Sequence, residues 1–161
     1  MMKVDINSKV LVPFDYSEFC AKSLKYALTM FDASQIEVVH VAHVPMANSP
    51  GVIWDQVNED TIRDHCNKSF GEFCQTHELP EDLNFKVAFG NPADQIAKIA
   101  DDDLIGLVLI SSHGRKGIVR WFLGSVAERV VRLAPCPVLV FKPDEIINER
   151  KQKLAELETA L

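Results

Sequence analysis

Short apolar runs alternate along the chain with segments in which apolar residues recur every three or four positions. The runs are rich in the β-branched residues typical of strands, and the segments between them have the spacing of one helix face. The resulting order is β-α-β-α-β-α-β-α-β. This alternation predicts an α/β fold with a five-stranded, parallel, doubly wound sheet of the Rossmann-like type, helices on both faces and right-handed connections.

The predicted strands are bounded by turn residues. Pro13 lies where the first run meets the following loop, and the fourth run is almost entirely apolar. A run of that kind is typical of a central parallel strand covered on both faces, and its end would deliver Ser111 to a loop. The five predicted strands cover residues 9–13, 36–42, 84–89, 104–110 and 138–141.

Capping residues mark the starts of the first and fourth helices. Before the first helix, either Asp15, with Glu18 three residues later, or Ser17 supplies the cap. Before the fourth helix, Ser125 and Glu128 have the spacing of a capping box. Both helices are therefore predicted to begin directly after a loop that follows a strand.

The two remaining helices and a C-terminal segment complete the predicted order of elements. Asn91 caps the third helix, with Pro92 at its first position. Apolar residues keep a helical period from about residue 59 to 77, after an irregular stretch over residues 44–56. Residues 143–161 predict an appended helix, for which a solvated tail and docking on the core or on a second subunit remain equal alternatives.

Composition is that of one globular domain, predicted over residues 1–142 with a helical extension over 143–161. The chain has 161 residues and 47% apolar content. It has no apolar run near the roughly 20 residues that span a bilayer and no signal-peptide pattern, so we expect a cytoplasmic location and no membrane partner. The four cysteines form no C-x-x-C pair, which favours packed, reduced thiols over a disulfide or zinc site.

Charge is unevenly distributed. The net charge of −6 argues against a nucleic-acid partner, because the long-range field repels polyphosphate. Between residues 111 and 132, however, the sequence contains five cationic residues and one acidic residue, which gives this stretch a net charge of +4. The five are Arg115, Lys116, Arg120, Arg129 and Arg132. A compact cationic region of this kind suits a small anionic ligand.

Two loops should meet at the carboxyl ends of the strands, where doubly wound sheets bind ligands. One covers residues 13–17, and the other covers 111–117 and leads to Gly124 and Ser125. Glycines allow backbone N–H groups to approach a phosphate, the Ser125 hydroxyl can donate, and the following helix points its positive end at the anion. An ordinary flexible loop is the alternative on these features alone.

The run Ser111-Ser112-His113-Gly114, followed by nine residues and Gly124-Ser125, resembles the pattern G-x-x-G, nine residues, G-[S/T] of the universal stress proteins. The resemblance covers residues 9–142. It includes the opening V-P-x-D-x-S at residues 12–17 and the G-x-P turn at residues 90–92. The first glycine of the pattern is Ser111 here, whose side chain could crowd a ligand or donate to a phosphate oxygen.

This resemblance implies an ATP site, with Mg2+ held mainly by the phosphate oxygens. It would place Asp15 near the ribose and adenine edge, Val41 against the base, and the glycines and first residues of the fourth helix around the phosphates. A helix cap for Asp15 and a core strand position for Val41 are the alternatives. The candidate binding residues are Pro13, Asp15, Val41, Ser111, His113, Gly114, Arg115, Gly117, Gly124, Ser125 and Val126.

The resemblance implies a regulatory module in the stress response that acts as a homodimer, with a tetramer as a further assembly. An apolar final strand at a sheet edge independently favours pairing with a second copy. We expect no conventional enzyme and at most slow ATP hydrolysis: a P-loop is absent, and His113 has no carboxylate nearby in sequence to orient it as a base. The alternatives are a dimeric interaction protein without nucleotide and, less favoured, an adenylyl-transferring enzyme.

Overall fold

The apolar runs form a single parallel sheet. The computed structural model describes residues 9–43, 58–112 and 123–142, and in it the strand order is β3-β2-β1-β4-β5. Every strand pair is parallel, as predicted. The irregular stretch at 44–56 and the extension at 143–161 lie outside the described residues. The strands are β1 (Val10–Phe14), β2 (Ile36–Ala42), β3 (Asn84–Phe89), β4 (Leu107–Ser111) and β5 (Val138–Phe141).

Two helices cover each face of the sheet. On one face the helices α1 and α2 bury apolar residues such as Leu24 and Phe70 against Val12 and Leu109. On the other face α3 and α4 bury Ile96 and Val130 in a second cluster with Leu11 and Val108. The doubly wound architecture is confirmed. The helices are α1 (Glu18–Met30), α2 (Glu59–Thr76), α3 (Pro92–Asp102) and α4 (Ser125–Leu133), with a short 3-10 turn at Ala33–Gln35.

The fourth strand starts later than predicted. Leu104 is 85% exposed and has a φ of 52°, so the prediction of a strand from residue 104 was wrong. The cause is the end of α3, where Ile105 N–H donates to Ala100 O and Leu104 N–H donates to Asp101 O. These two bonds form a Schellman motif, which needs a left-handed residue after the cap. This motif includes Leu104 and Ile105, which the apolar pattern assigns to the strand.

Aromatic rings fill the α1/α2 side near the carboxyl ends of the strands. The Phe14 ring makes edge-on contacts with Tyr16, Phe70 and Phe73, at centroid distances of 4.8 to 5.3 Å. Phe85 stacks on Phe70 at 4.0 Å. Because edge-to-face pairs add stability beyond the area they bury, this cluster holds α2 firmly against β1 and β3.

The cysteines are free thiols, as expected. Three of them are buried, and Cys136 is half-buried, with no disulfide among the four. Among the described residues, no helix has the length and apolar character needed to cross a membrane.

A buried carboxylate lies near the amino-terminal ends of the strands. Glu37 of β2 is 1% exposed, and its oxygens lie 2.5 Å from the Lys86 ammonium and 3.5 Å from that of Lys9. Lys86 also donates to Asp103 at 2.8 Å. A buried charge without a partner is strongly unfavourable, so Glu37 depends on these two lysines.

Replacing Lys86 with Met should therefore lower the free energy of unfolding by about 2 kcal/mol, because among the described residues Glu37 then has only the more distant Lys9 as an ion-pair partner. Urea unfolding measures the change. The control is Lys68→Met, which breaks only the exposed Lys68–Glu72 pair at 3.9 Å and should cost less than about 0.5 kcal/mol. Equal effects of the two substitutions would contradict this account of Glu37.

The stability difference between wild type and Lys86→Met should depend on pH. The hydrogen bond from Lys86 lowers the pKa of Asp103, so its contribution to stability is complete above its unfolded value and is lost as pH falls through the folded value. The difference between wild type and Lys86→Met should be constant near neutral pH and shrink below about pH 4. A difference that stays constant into acid would exclude a contribution from this carboxylate.

Arg63 covers the outer edge of β3. The ladder bond from Gly90 N–H to Ala42 O makes the even-numbered residues of β3 face β2, so the carbonyl of Val87 faces outward. Arg63 of α2 donates to that oxygen at 2.7 Å, and its guanidinium lies 5.2 Å from the centre of the Phe89 ring. This edge of the sheet is therefore partly closed to other strands.

Arg63→Ala should expose that edge. We expect a loss of about 1 kcal/mol in unfolding free energy and light scattering that begins at a lower temperature than in wild type. Lys68→Ala, on the same helix and with an exposed side chain, is the control and should leave the scattering onset unchanged. Unaltered scattering in Arg63→Ala would show that the edge is protected by other means.

Candidate functional site

A crevice is expected where the sheet reverses its order of connection. β1 and β4 are neighbours, yet β1 leads to α1 on one face and β4 leads to α4 on the other. Connections that diverge from adjacent parallel strands leave a crevice at the carboxyl ends. We refer to this place, between the β1–α1 loop and the start of α4, as the mouth.

The first loop of the mouth is held by Asp15. Its Oδ1 accepts hydrogen bonds from Ser17 N–H at 3.0 Å and from the Cys20 thiol at 2.9 Å. The cap of α1 is Ser17, whose hydroxyl oxygen accepts from Cys20 N–H. Of the two caps left open by the sequence, Ser17 is correct, so Asp15 stands outside the helix at the mouth.

Tyr16 gives this loop its sharp turn. Its φ of 62° is left-handed, a conformation that costs a residue with a side chain about 1 kcal/mol or more. The cost is offset by contacts: the hydroxyl donates to Cys66 O of α2 at 2.9 Å, and the ring lies 4.9 Å from that of His40. His40 Nδ1 is 2.8 Å from the carbonyl oxygen of Phe14 and must carry the proton, since a carbonyl only accepts.

Pro13 and Val41 belong to strands rather than loops. β1 extends through Pro13 to Phe14, one residue beyond its predicted end, and Pro13 is buried within it. Val41 is half-buried near the end of β2 and packs against the α3/α4 cluster. Its position at the carboxyl end fits a contact with a ligand and also fits a core residue.

Ser111 ends β4 instead of lying in a loop. It is 6% exposed, and it shares strand parity with Leu109, which places its side chain on the α1/α2 side of the sheet. Sequence reasoning put Ser111 in the loop because the apolar run stops at Ile110. Its burial shows that this side chain adds little exposed surface to the mouth.

The second loop of the mouth is closed by its own ends. Gly124 N–H donates to Ser112 O at 2.9 Å, and Ser112 N–H donates to Phe141 O at 2.8 Å. A Cβ added at Gly124 would lie 3.2 Å from Ser112 O, so glycine permits this close approach. The Gly124 amide thus donates within the protein, and a contact of Gly124 with phosphate stays a prediction.

The capping box predicted from Ser125 and Glu128 is wrong. Glu128 N–H donates to Gly124 O, which makes Gly124 the cap and Ser125 the first helical residue. Glycine has no side chain to accept from the first-turn amides, so the cap residue itself makes no side-chain hydrogen bond to them. Ser125 and Val126 are exposed there, and the helix end presents the N–H groups and positive dipole that attract anions.

Two of the five cations of the cationic region, Arg129 and Arg132, lie in the described part of α4. One guanidinium nitrogen of Arg129 contacts both carboxylate oxygens of Asp94 in α3, at 2.8 and 2.9 Å. Arg132 lies in the last turn of α4, roughly 10 Å along the helix from its start. These two charges therefore do not converge on the start of α4. The other three cations, with His113, Gly114 and Gly117, lie outside the described residues.

Three residues at the mouth were not singled out from the sequence: Tyr16, Cys20 and His40. Cys20 fits the apolar stripe of α1, and nothing in the pattern indicates its contact with Asp15. Burial and the negative charge of Asp15 raise the pKa of the Cys20 thiol to about 12. The isolated histidine in the apolar run of β2 was the only visible signal among the three.

Comparison with known proteins gives consistent results. A universal stress protein from Methanocaldococcus jannaschii is 27% identical over 143 residues, which are 86% of this chain and 84% of that protein. The structure of the universal stress protein UspA from Lactobacillus plantarum superimposes with a TM-score of 0.64 at 20% identity, covering 84% of this chain and 97% of that one. The second comparison shows the fold alone.

Three other solved universal stress proteins are complexes, with cAMP, with dAMP from Archaeoglobus fulgidus, and with AMP from Arabidopsis thaliana. Each is 18% identical, covers 84% of this chain and between 91 and 98% of its own, and has a TM-score of 0.50 to 0.56. The family model for universal stress proteins matches residues 7–142. This chain belongs to the universal stress protein family.

Proposed function

We propose that this chain binds an adenine nucleotide, ATP in the first place, at the mouth between the β1–α1 loop and the start of α4, and acts as a regulatory module in the stress response. The observation that carries the proposal is the start of α4 at the switch point of a parallel sheet, where the cap residue Gly124 has no side chain to occupy the first-turn N–H groups. Mg2+ would be coordinated mainly by the phosphate oxygens. The complexes of three family members with adenine nucleotides support the same ligand class.

The location of Asp15 supports the proposed orientation. The start of α4 would take the phosphates, and the Asp15 carboxylate, held by two donors in the adjacent loop, would accept from ribose or base. A protein without nucleotide would be favoured if the Ser111 side chain, in place of the glycine of the family pattern, crowded the ligand. Because the Ser111 side chain is buried on the α1/α2 side, it does not favour that alternative.

Charge reversal at Val126 tests phosphate binding. This residue is 38% exposed in the first turn of α4, so Glu or Lys fits there without loss of core packing. We expect Val126→Glu to weaken ATP binding roughly three- to tenfold and Val126→Lys to strengthen it, measured by isothermal titration calorimetry. The matched controls are Val131→Glu and Val131→Lys, near the other end of the same helix and 47% exposed.

Equal effects at positions 126 and 131 would indicate a general charge effect and reject the site. Nucleotide released by denaturing the purified wild type, identified by mass, separates this proposal from a nucleotide-free interaction protein.

We also propose that turnover of ATP is slow or absent, with no adenylyl transfer. Release of pyrophosphate from ATP at enzyme-like rates would overturn that part.

We further propose that the module acts in the cytoplasm as a homodimer through the edge strand β5. Val108 N–H donates to Pro137 O and Ser112 N–H donates to Phe141 O, so the odd-numbered residues of β5 face β4. The N–H groups of Val138 and Val140 therefore face outward. Tyr26, 41% exposed, lies beside this edge with its ring 5.1 Å from that of Phe141.

Sedimentation velocity tests the dimer. Val140→Pro removes an outward N–H without breaking the bonds between β5 and β4, and Tyr26→Glu adds a charge beside the same edge. Both should shift the protein from dimer to monomer at low micromolar concentration. Leu104→Glu, which changes an exposed apolar residue at the other end of the sheet, should remain dimeric. A monomeric wild type would overturn this part.

A further inference from the structure

The Cys20 thiol reaches from the core of the α1/α2 face to the mouth. Cys20 is 4% exposed and packs in the apolar cluster with Leu24 and Phe14. Its Sγ lies 2.9 Å from Asp15 Oδ1 and 3.8 Å from the carbonyl oxygen of Pro13. A thiol can therefore connect the apolar interior to the carboxylate of the β1–α1 loop.

The direction of this hydrogen bond follows from the chemistry of the two groups. An ionised carboxylate only accepts, so the S–H of Cys20 is the donor. Ser17 N–H donates to the same oxygen at 3.0 Å. One donor comes from the first turn of α1 and the other from the loop, and together they fix Oδ1 and limit rotation of the carboxylate.

A cysteine at a binding site also suggests a redox sensor, which the surroundings of Cys20 disfavour. The thiolate is the form that is oxidised, and it needs cationic neighbours and access to solvent. Burial and the adjacent carboxylate raise the pKa of Cys20 to about 12, which keeps the sulfur protonated. A protonated, buried thiol is suited to donate a hydrogen bond.

We propose that Cys20 is a positioning residue that holds the Asp15 carboxylate in the orientation that receives the adenine nucleotide. This inference rests on the proposed function for the role of Asp15, whereas the hydrogen bond itself does not. Cys20 does not touch the nucleotide; it acts through Asp15. Alanine at this position would fill the core incompletely and leave Oδ1 with one fewer donor, while serine would keep a donor.

Infrared spectroscopy tests the hydrogen bond without any nucleotide. The S–H stretching band falls in a region free of other protein absorption and moves to lower wavenumber when the thiol donates strongly. Wild type should show one shifted band that disappears in Cys20→Ala and moves back toward the free position in Asp15→Ala. An unshifted spectrum in wild type would overturn the proposal.

Nucleotide binding tests the positioning role. Cys20→Ala should weaken AMP binding about fivefold, the value of one modest hydrogen bond, and Cys20→Ser should recover most of the loss. The matched control is Cys74→Ala, which removes an equally buried thiol from the same cluster. It should lower stability without changing the dissociation constant.

The outcomes separate the two claims. A loss of affinity in Cys74→Ala equal to that in Cys20→Ala would mean that core packing, and not the donor, is responsible. Unchanged affinity in Cys20→Ala would overturn the positioning role. Failure of wild type to bind AMP or ATP would overturn the proposed function and with it the binding role of Cys20, while the infrared band would still decide whether the hydrogen bond exists.

Discussion

The parallel pairing of β1 with β4 is the constraint on which the rest of the structure depends. Parallel neighbours cannot be joined by a tight turn, so each strand must leave the sheet through a crossover, and these two leave toward opposite faces. That divergence creates the mouth and brings the starts of α1 and α4 to it. The two apolar clusters hold the pairing by covering β1 and β4 on both sides.

Most of the fold could be predicted because its strands and helices are set by local pattern. Three strands, at residues 36–42, 84–89 and 138–141, match their predicted bounds, and Asn91 and Pro92 open α3 as expected. Local pattern failed where a backbone motif competed with it. Leu104 looks like strand, but the Schellman ending of α3 requires it as a turn residue. Ser125 looks like a cap, but Gly124 supplies the first helical carbonyl.

The candidate site was less predictable because its interactions join distant residues. Arg129 belongs to the cationic region of the sequence, but it pairs with Asp94, which is 35 residues away in sequence. Tyr16 adopts a left-handed conformation that is uncommon for an aromatic residue, and its contacts with Phe14, α2 and His40 offset the cost. The position of Asp15 could be anticipated from the family pattern, whereas the donors that orient it could not.

The bond between Gly124 and Ser112 has an evolutionary consequence. It fixes the two ends of the connection between β4 and α4 against each other, and Phe141 ties the same point to β5. With both ends of this connection anchored to the sheet, a substitution between them should cost the scaffold little stability. The architecture beneath this connection can therefore be inherited unchanged while single positions within the connection vary.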